Sequence, residues 1–333
     1  MSDAATDAVR DTENHTRTAG CADDDLPIVD AHHHYWDLAL GKHPWLAGEP
    51  IPNHRYGDYS AISTTFLPAD YRRAAGRQRI VGNVYVEAEW DPTDPLGETR
   101  WVHAIAEREG TPHAMVAQAW LDHEDAPALL AAQAAFPLVR AVRHKPKHFA
   151  DPSDWRPGHG LPGSMLCPRF RAGYARLADH GLHFELQTVF WHLPDAADLA
   201  RAFPHIPIVV NHAGVPGDRR PQTLARWNAA MATLADCPNV SVKISGLGVP
   251  GQAWTIEANA RVVRDTIALF GAQRCMFASN YPVDGLFRSL EGIFADFKAI
   301  TAELPPADRR ALFHDNARAV YRLHHWEETH AHR

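Results

Sequence analysis

The chain has 333 residues, 45% of them hydrophobic and 22% charged, an ordinary globular composition with apolar material for one large core. Its formal net charge of −7 and pI of about 6.3 exclude a general electrostatic pull toward nucleic acid or an anionic membrane. Four dispersed cysteines, Cys21, Cys167, Cys237 and Cys275, form no CxxC pair, which excludes a disulfide scaffold and a zinc ribbon and fits a reducing cytoplasm.

Residues 1–25 read as a disordered acidic arm ending in Asp23-Asp24-Asp25. This start is polar and acidic, unlike a signal peptide, and no apolar stretch approaches the length of a membrane span. A cytoplasmic enzyme acting on a small molecule is the expectation, with no nucleic-acid or membrane partner and with homo-oligomerisation left open. After the arm, apolar runs alternate with Ala-rich amphipathic stretches. The runs are Pro27–Ala31, Ile80–Ala88, Ala114–Trp120, Leu138–Arg143, Leu182–Thr188, Ile206–Val210, Val240–Ile244 and Arg274–Ala278. Between most of them the spacing predicts helices, including Glu98–Glu109, Ala126–Ala135, Arg169–His180, Ala196–Phe203, Thr223–Asp236 and Glu257–Phe270. Nearly all-apolar strands separated by helices imply a parallel sheet covered on its outer face. Eight such units predict a distorted (β/α)8 TIM barrel over residues 26–323, with its chemistry on the loops after the strands. Segments 37–79 and 145–168 read as long loops that wall or cover the barrel mouth. The His-rich tail, 324–333, reads as a solvated end.

The sharpest signal is Ile28-Val29-Asp30-Ala31-His32-His33-His34. Side chains alternate along a strand, so His32 and His34 share a face and His33 points away. Two imidazoles so placed suit one divalent ion, zinc above all; a hydrogen-bonded inert cluster is the other reading. Further titratable groups stand at other strand ends: Glu87, the run Arg143-His144-Lys145, His192, His212, Lys243 and Asp284. Core packing gives no reason for polar groups to gather at one end of several strands, whereas a shared active site does.

Asp-x-His-x-His at 30–34, Asn211-His212-Ala213-Gly214 and Phe277-Ala278-Ser279-Asn280-Tyr281-Pro282 together resemble the amidohydrolase superfamily. The closest resemblance is to its lactonase branch of sugar-lactone, sulfomuconolactone and 2-pyrone-4,6-dicarboxylate lactonases. That resemblance spans roughly residues 27–322 and implies a TIM barrel, hydrolysis, and His32, His34 and His212 as metal ligands or site residues. The family's usual aspartate at the end of the eighth strand is Asn280 here, and an amide cannot act as a general base. Asp284, four residues on, is the candidate replacement; His192 and Glu87 are the others, and metal-independent action is the alternative. Arg143, Lys145 and Lys243 are candidate cations for an anionic or polyhydroxylated substrate, with Trp36 and Trp191 as candidate pocket walls. Hydrolysis of a small carboxylated or sugar-like lactone is therefore expected. A non-oxidative decarboxylase or hydratase, or a catalytically altered binding protein, is the competing expectation. Two decoys fall away. Gly246-Leu247-Gly248-Val249-Pro250-Gly251 matches GxGxxG, but Pro250 removes a backbone donor from the phosphate cradle, and Ser164 lacks a GxSxG elbow.

Overall fold

The computed structural model describes residues 25–52 and 54–323; the acidic arm before Asp25 and the His-rich tail lie outside the described residues. Each apolar run forms a strand: β1 Ile28–His33, β2 Ile80–Val86, β3 Ala114–Gln118, β4 Val139–His144, β5 His183–Leu186, β6 Ile208–Val210, β7 Val240–Ile244 and β8 Cys275–Phe277. All neighbours pair in parallel, in the sequential order β1 to β8. Small and branched inward side chains, including Val29, Ala31, Val84, Val86, Val116, Ala141, Val209 and Met276, pack into a continuous barrel interior. The second apolar layer lies between the strands and the outer helices and is larger, as the helix stripes predict.

Gly97–Glu109, Ala126–Ala134, Pro221–Ala235 and Ile256–Phe270 are helical within a few residues of expectation. The stretch 169–180 divides into an α-helix, Pro168–Ala175, and a 3-10 turn, Arg176–His180. One expectation fails: segment 37–79 is not loop throughout. It holds the helix Pro68–Ala75, entered through Pro68 and capped at its N-terminus by the Asp70 side chain accepting from the Leu67 amide. A further helix, Leu290–Ile300, follows β8. The foot of the barrel is closed by the C-terminal Ala317, Tyr321 and Leu323, which share one core cluster with the inward side chains of the strands. Among the described residues no helix is long and apolar enough to cross a membrane.

The seam between β8 and β1 is joined mostly by side chains. Asp30 accepts from the Ser279 amide at 2.8 Å, from Ser279 Oγ at 2.6 Å and from Tyr71 Oη at 2.7 Å. Two backbone bonds complete it, Asn280 N to the His32 carbonyl and His34 N to the Tyr281 carbonyl, each 2.8 Å.

Candidate active site

The register of β1 against β2 slips between Asp30 and His33. Simple alternation would put Asp30 on the same face as His32 and His34. The slip lets Asp30 face the seam while the two histidines turn inward. Their Nε2 atoms lie 3.2 Å apart. His33 faces away, its ring packed at a tilt against Tyr35 and Tyr71 at ring-centroid distances of 4.5 and 4.7 Å.

His34 Nδ1 lies 2.8 Å from the Val86 carbonyl, which can only accept, so the proton sits on Nδ1 and Nε2 keeps its lone pair. Burial, with Arg143 beside it, lowers the His34 pKa to about 3. Burial also drives His32 and His212 well below the ordinary histidine value; Lys243 adds to this at His32, Arg55 and Arg143 at His212. All three imidazoles are therefore neutral at physiological pH, the form that binds a metal ion. The ring centroids of His32 and His212 are 4.8 Å apart. His212 is pinned through Nδ1 to Ser245 Oγ at 3.0 Å, and its buried Nε2 has no partner. A Cβ on Gly246 would stand 2.4 Å from His212 Nδ1, so only glycine lets this ring and the β7 end approach. His212 (φ 56°) and Asn280 (φ 52°) both hold left-handed backbone, a conformation that concentrates at functional sites.

The donor chemistry of His32 and His34 fits a metal ion. Two neutral nitrogens face each other at a spacing close to that of two ligands held at about 2.0–2.1 Å around one zinc. Among the described residues no group of three or more His, Cys, Asp or Glu side chains is arranged to hold a metal, so the pair has no preassembled third ligand.

A cavity of about 60 Å³ opens at this end, walled by His34, Trp36, His212 and Asn280, by Arg143, Lys145 and Gln187, and by Trp45, His54, Arg55 and Tyr56 from the long loop. Trp36 lies nearly parallel to His34, with ring centroids 6.3 Å apart, and its Nε1 donates to the Thr64 carbonyl at 2.7 Å. A cleft of about 510 Å³ adjoins the cavity and shares Trp45, Glu89, Arg143 and Lys145 with it. A further cavity, about 710 Å³, lies against the N-terminal ends of β1 and β2 near Pro27, Ile80 and His314, away from His32, His34 and His212.

Arg143 is buried and ion-paired to Glu87, and it also donates to the Glu87 carbonyl and to Gln187 Oε1. Burial would raise the Glu87 carboxyl, but Arg143 and Lys145 hold it below the usual carboxylate value. Lys145 pairs with Glu89 nearer the surface. Asp284 is fully buried and does not line the cavity; it stands behind Asn280, whose Nδ2 donates to Asp284 Oδ1 at 3.3 Å. Burial raises Asp284 to about 7, against the lowering effects of Asn280 and Arg55.

Besides Asp284, three further expected site residues sit elsewhere. Lys243 points into the barrel interior, with Nζ 2.9 Å from Glu185 Oε2 and 5.1 Å from the Tyr321 ring, and it does not reach the cavity. His192 has both nitrogens engaged, Nδ1 donating to Asp195 at 2.7 Å and Nε2 accepting from the Phe149 amide at 3.0 Å, so it pins the 145–168 segment. Trp191 donates to the Phe149 carbonyl and does not line the cavity. Sequence reasoning missed Arg55 as a lining residue. No periodicity marks a single arginine in a long loop.

The amidohydrolase family model matches residues 29–323. The uncharacterized protein y4mH of Sinorhizobium fredii is 39% identical over 299 residues, covering 90% of this chain and 99% of that one. An L-fucono-1,5-lactonase of Burkholderia ambifaria is 31% identical over 307 residues, covering 89% of this chain and 95% of its own. Among solved structures, an amidohydrolase from Burkholderia multivorans with bound zinc superposes with a TM-score of 0.72 at 23% identity, covering 89% of this chain and 99% of that one. At that identity the likeness speaks to the fold, and it agrees with the barrel described above.

Proposed function

The chain belongs to the amidohydrolase family, and we propose on that premise that this hydrolase opens a small carboxylated or sugar-like lactone with water at the barrel mouth. One observation carries the reading. His34, His212, Asn280 and Arg143 line a single cavity, with His32 packed directly behind His34 and His212, in a chain 31% identical to an L-fucono-1,5-lactonase.

A divalent metal ion, zinc by analogy with the Burkholderia multivorans structure, would be held by His32 and His34 beside His212 and would supply Lewis acidity and an acidified water. The Val86 carbonyl fixes the His34 tautomer, and Ser245 orients His212. Asp284, held near neutrality, is the proposed store for the proton that leaves the attacking water and returns to the alkoxide. Asn280 cannot take that proton, but its amide orients the Asp284 carboxyl from the cavity side. Arg143 and Lys145 border the cavity and would orient hydroxyl or carboxylate oxygens of the substrate.

The test is a panel of sugar lactones and carboxylated lactones, followed by acid release, with metal content measured on the same preparation. Acid release from at least one lactone is expected, lost on chelation and restored by added metal. Turnover that survives complete metal removal would leave a metal-independent lactonase. Carbon dioxide from a carboxylated substrate without acid release would replace hydrolysis by decarboxylation.

A further inference from the structure

Three cations wall the cavity, Arg55, Arg143 and Lys145, and two of them already have carboxylates. Arg143 is paired with buried Glu87, and Lys145 with Glu89. Arg55 makes no hydrogen bond or ion pair with any described residue; its guanidinium carbon lies 4.6 Å from the centroid of the Tyr56 ring. Among the described residues the cavity therefore keeps one positive charge without a partner. A half-buried guanidinium over an apolar aromatic wall is a strong receptor for a planar carboxylate, which it can bind through two parallel N–H bonds.

We infer that Arg55 receives a carboxylate borne by the substrate, so that the enzyme selects anionic lactones over neutral ones of the same ring. This rests on the lactone reading above. Water adds at the ring carbonyl, the acyl C–O bond breaks, and the ring oxygen leaves as a hydroxyl. The product is a hydroxydicarboxylate, with one proton released at neutral pH.

The experiment compares wild type, Arg55→Met and Arg55→Lys at constant ionic strength. One arm measures kcat/KM for a carboxylated lactone and its neutral analogue. The other measures calorimetric binding of malate, a small hydroxydicarboxylate. The ratio of kcat/KM between the two lactones should fall about 10- to 150-fold in Arg55→Met, the range expected for one lost charge-assisted hydrogen-bond pair. Arg55→Lys should recover part of that ratio by keeping the charge without the fork, and malate binding should weaken in parallel. Equal loss on both lactones, or malate bound equally by wild type and Arg55→Met, would overturn the inference. If wild type opens no lactone yet malate binding still depends on Arg55, the lactone reading falls and Arg55 remains an anion receptor.

Discussion

Two buried ion pairs, Arg143–Glu87 and Lys243–Glu185, come from the same kind of residue on the same kind of strand and end in different compartments. Arg143 on β4 reaches up to Glu87 and borders the cavity. Lys243 on β7 reaches inward to Glu185, whose carboxyl also accepts from Tyr321 Oη and Asn211 Nδ2. Burial lowers Lys243 to about 8, while Glu185 falls to about 2 because Lys243 and His183 outweigh its own burial. One pair borders the cavity; the other joins the barrel staves to the C-terminal Tyr321. The partner each side chain reaches, rather than residue type, separates a cavity-lining cation from one held inside the barrel.

The contrast breaks most sharply at the mouth. His34→Ala should lower both metal content and kcat by orders of magnitude with melting behaviour close to wild type, because its contribution is made at the site. His33→Ala, facing Tyr35 and Tyr71, should instead lower Tm and leave metal content near the wild-type level. Elemental analysis and calorimetry on both variants separate the outcomes; equal metal loss in both would remove the assignment of faces.

Asp284→Asn comes next, with kcat down roughly 10²- to 10⁴-fold if the carboxyl stores the proton. A base must be deprotonated, so wild-type kcat/KM should rise with pH up to about 7 and then level, and the variant should lose that limb. Stability has the opposite sign. The folded Asp284 holds its proton above the ordinary 3.8, so its contribution is complete below that value and is lost as pH rises through about 7. Denaturant titrations across this window should show a shallower decline in Asp284→Asn. An unchanged rate in the variant would shift attention to Glu87, since both nitrogens of His192 are engaged.

Inside the barrel, Lys243→Met strands Glu185 and should cost about 3–5 kcal/mol of stability, read by urea unfolding, with KM little changed. The smallest effect belongs to Lys145→Met. Its pair with Glu89 is 37% and 52% exposed, so its loss should cost only about 0.2–1 kcal/mol. A KM effect from Lys243→Met comparable to that of an Arg143 variant would collapse the division between the compartments.

The barrel was legible in the sequence because its signals are local. Unbroken apolar runs mark strands buried on both faces, and the two-residue spacing of His32 and His34 follows directly from the strand period. What stayed hidden depends on distant geometry. The spacing places Lys243 on an inward face but cannot say whether its ammonium points to mouth or foot. That depends on Glu185 and Tyr321, 58 and 78 residues away. The register slip after Asp30 reverses a face that alternation alone assigns wrongly. Arg55 lies in a segment with neither strand nor helix period, so only its place over the cavity reveals it. The sequence marks Asn280 as a departure from the pattern it resembles, while the position of Asp284 behind it, away from the cavity, required the fold.

The seam between β8 and β1 has a kinetic consequence. Its two backbone bonds, to the His32 carbonyl and from the His34 amide, belong to the same residues whose rings form the paired imidazoles. A transient parting of the staves at this point would separate the paired imidazoles of β1 from Asn280, which follows β8. Amide exchange at His34 and Asn280 therefore clocks the opening of the catalytic centre itself, and whatever spans the mouth also acts as a clasp on the cylinder.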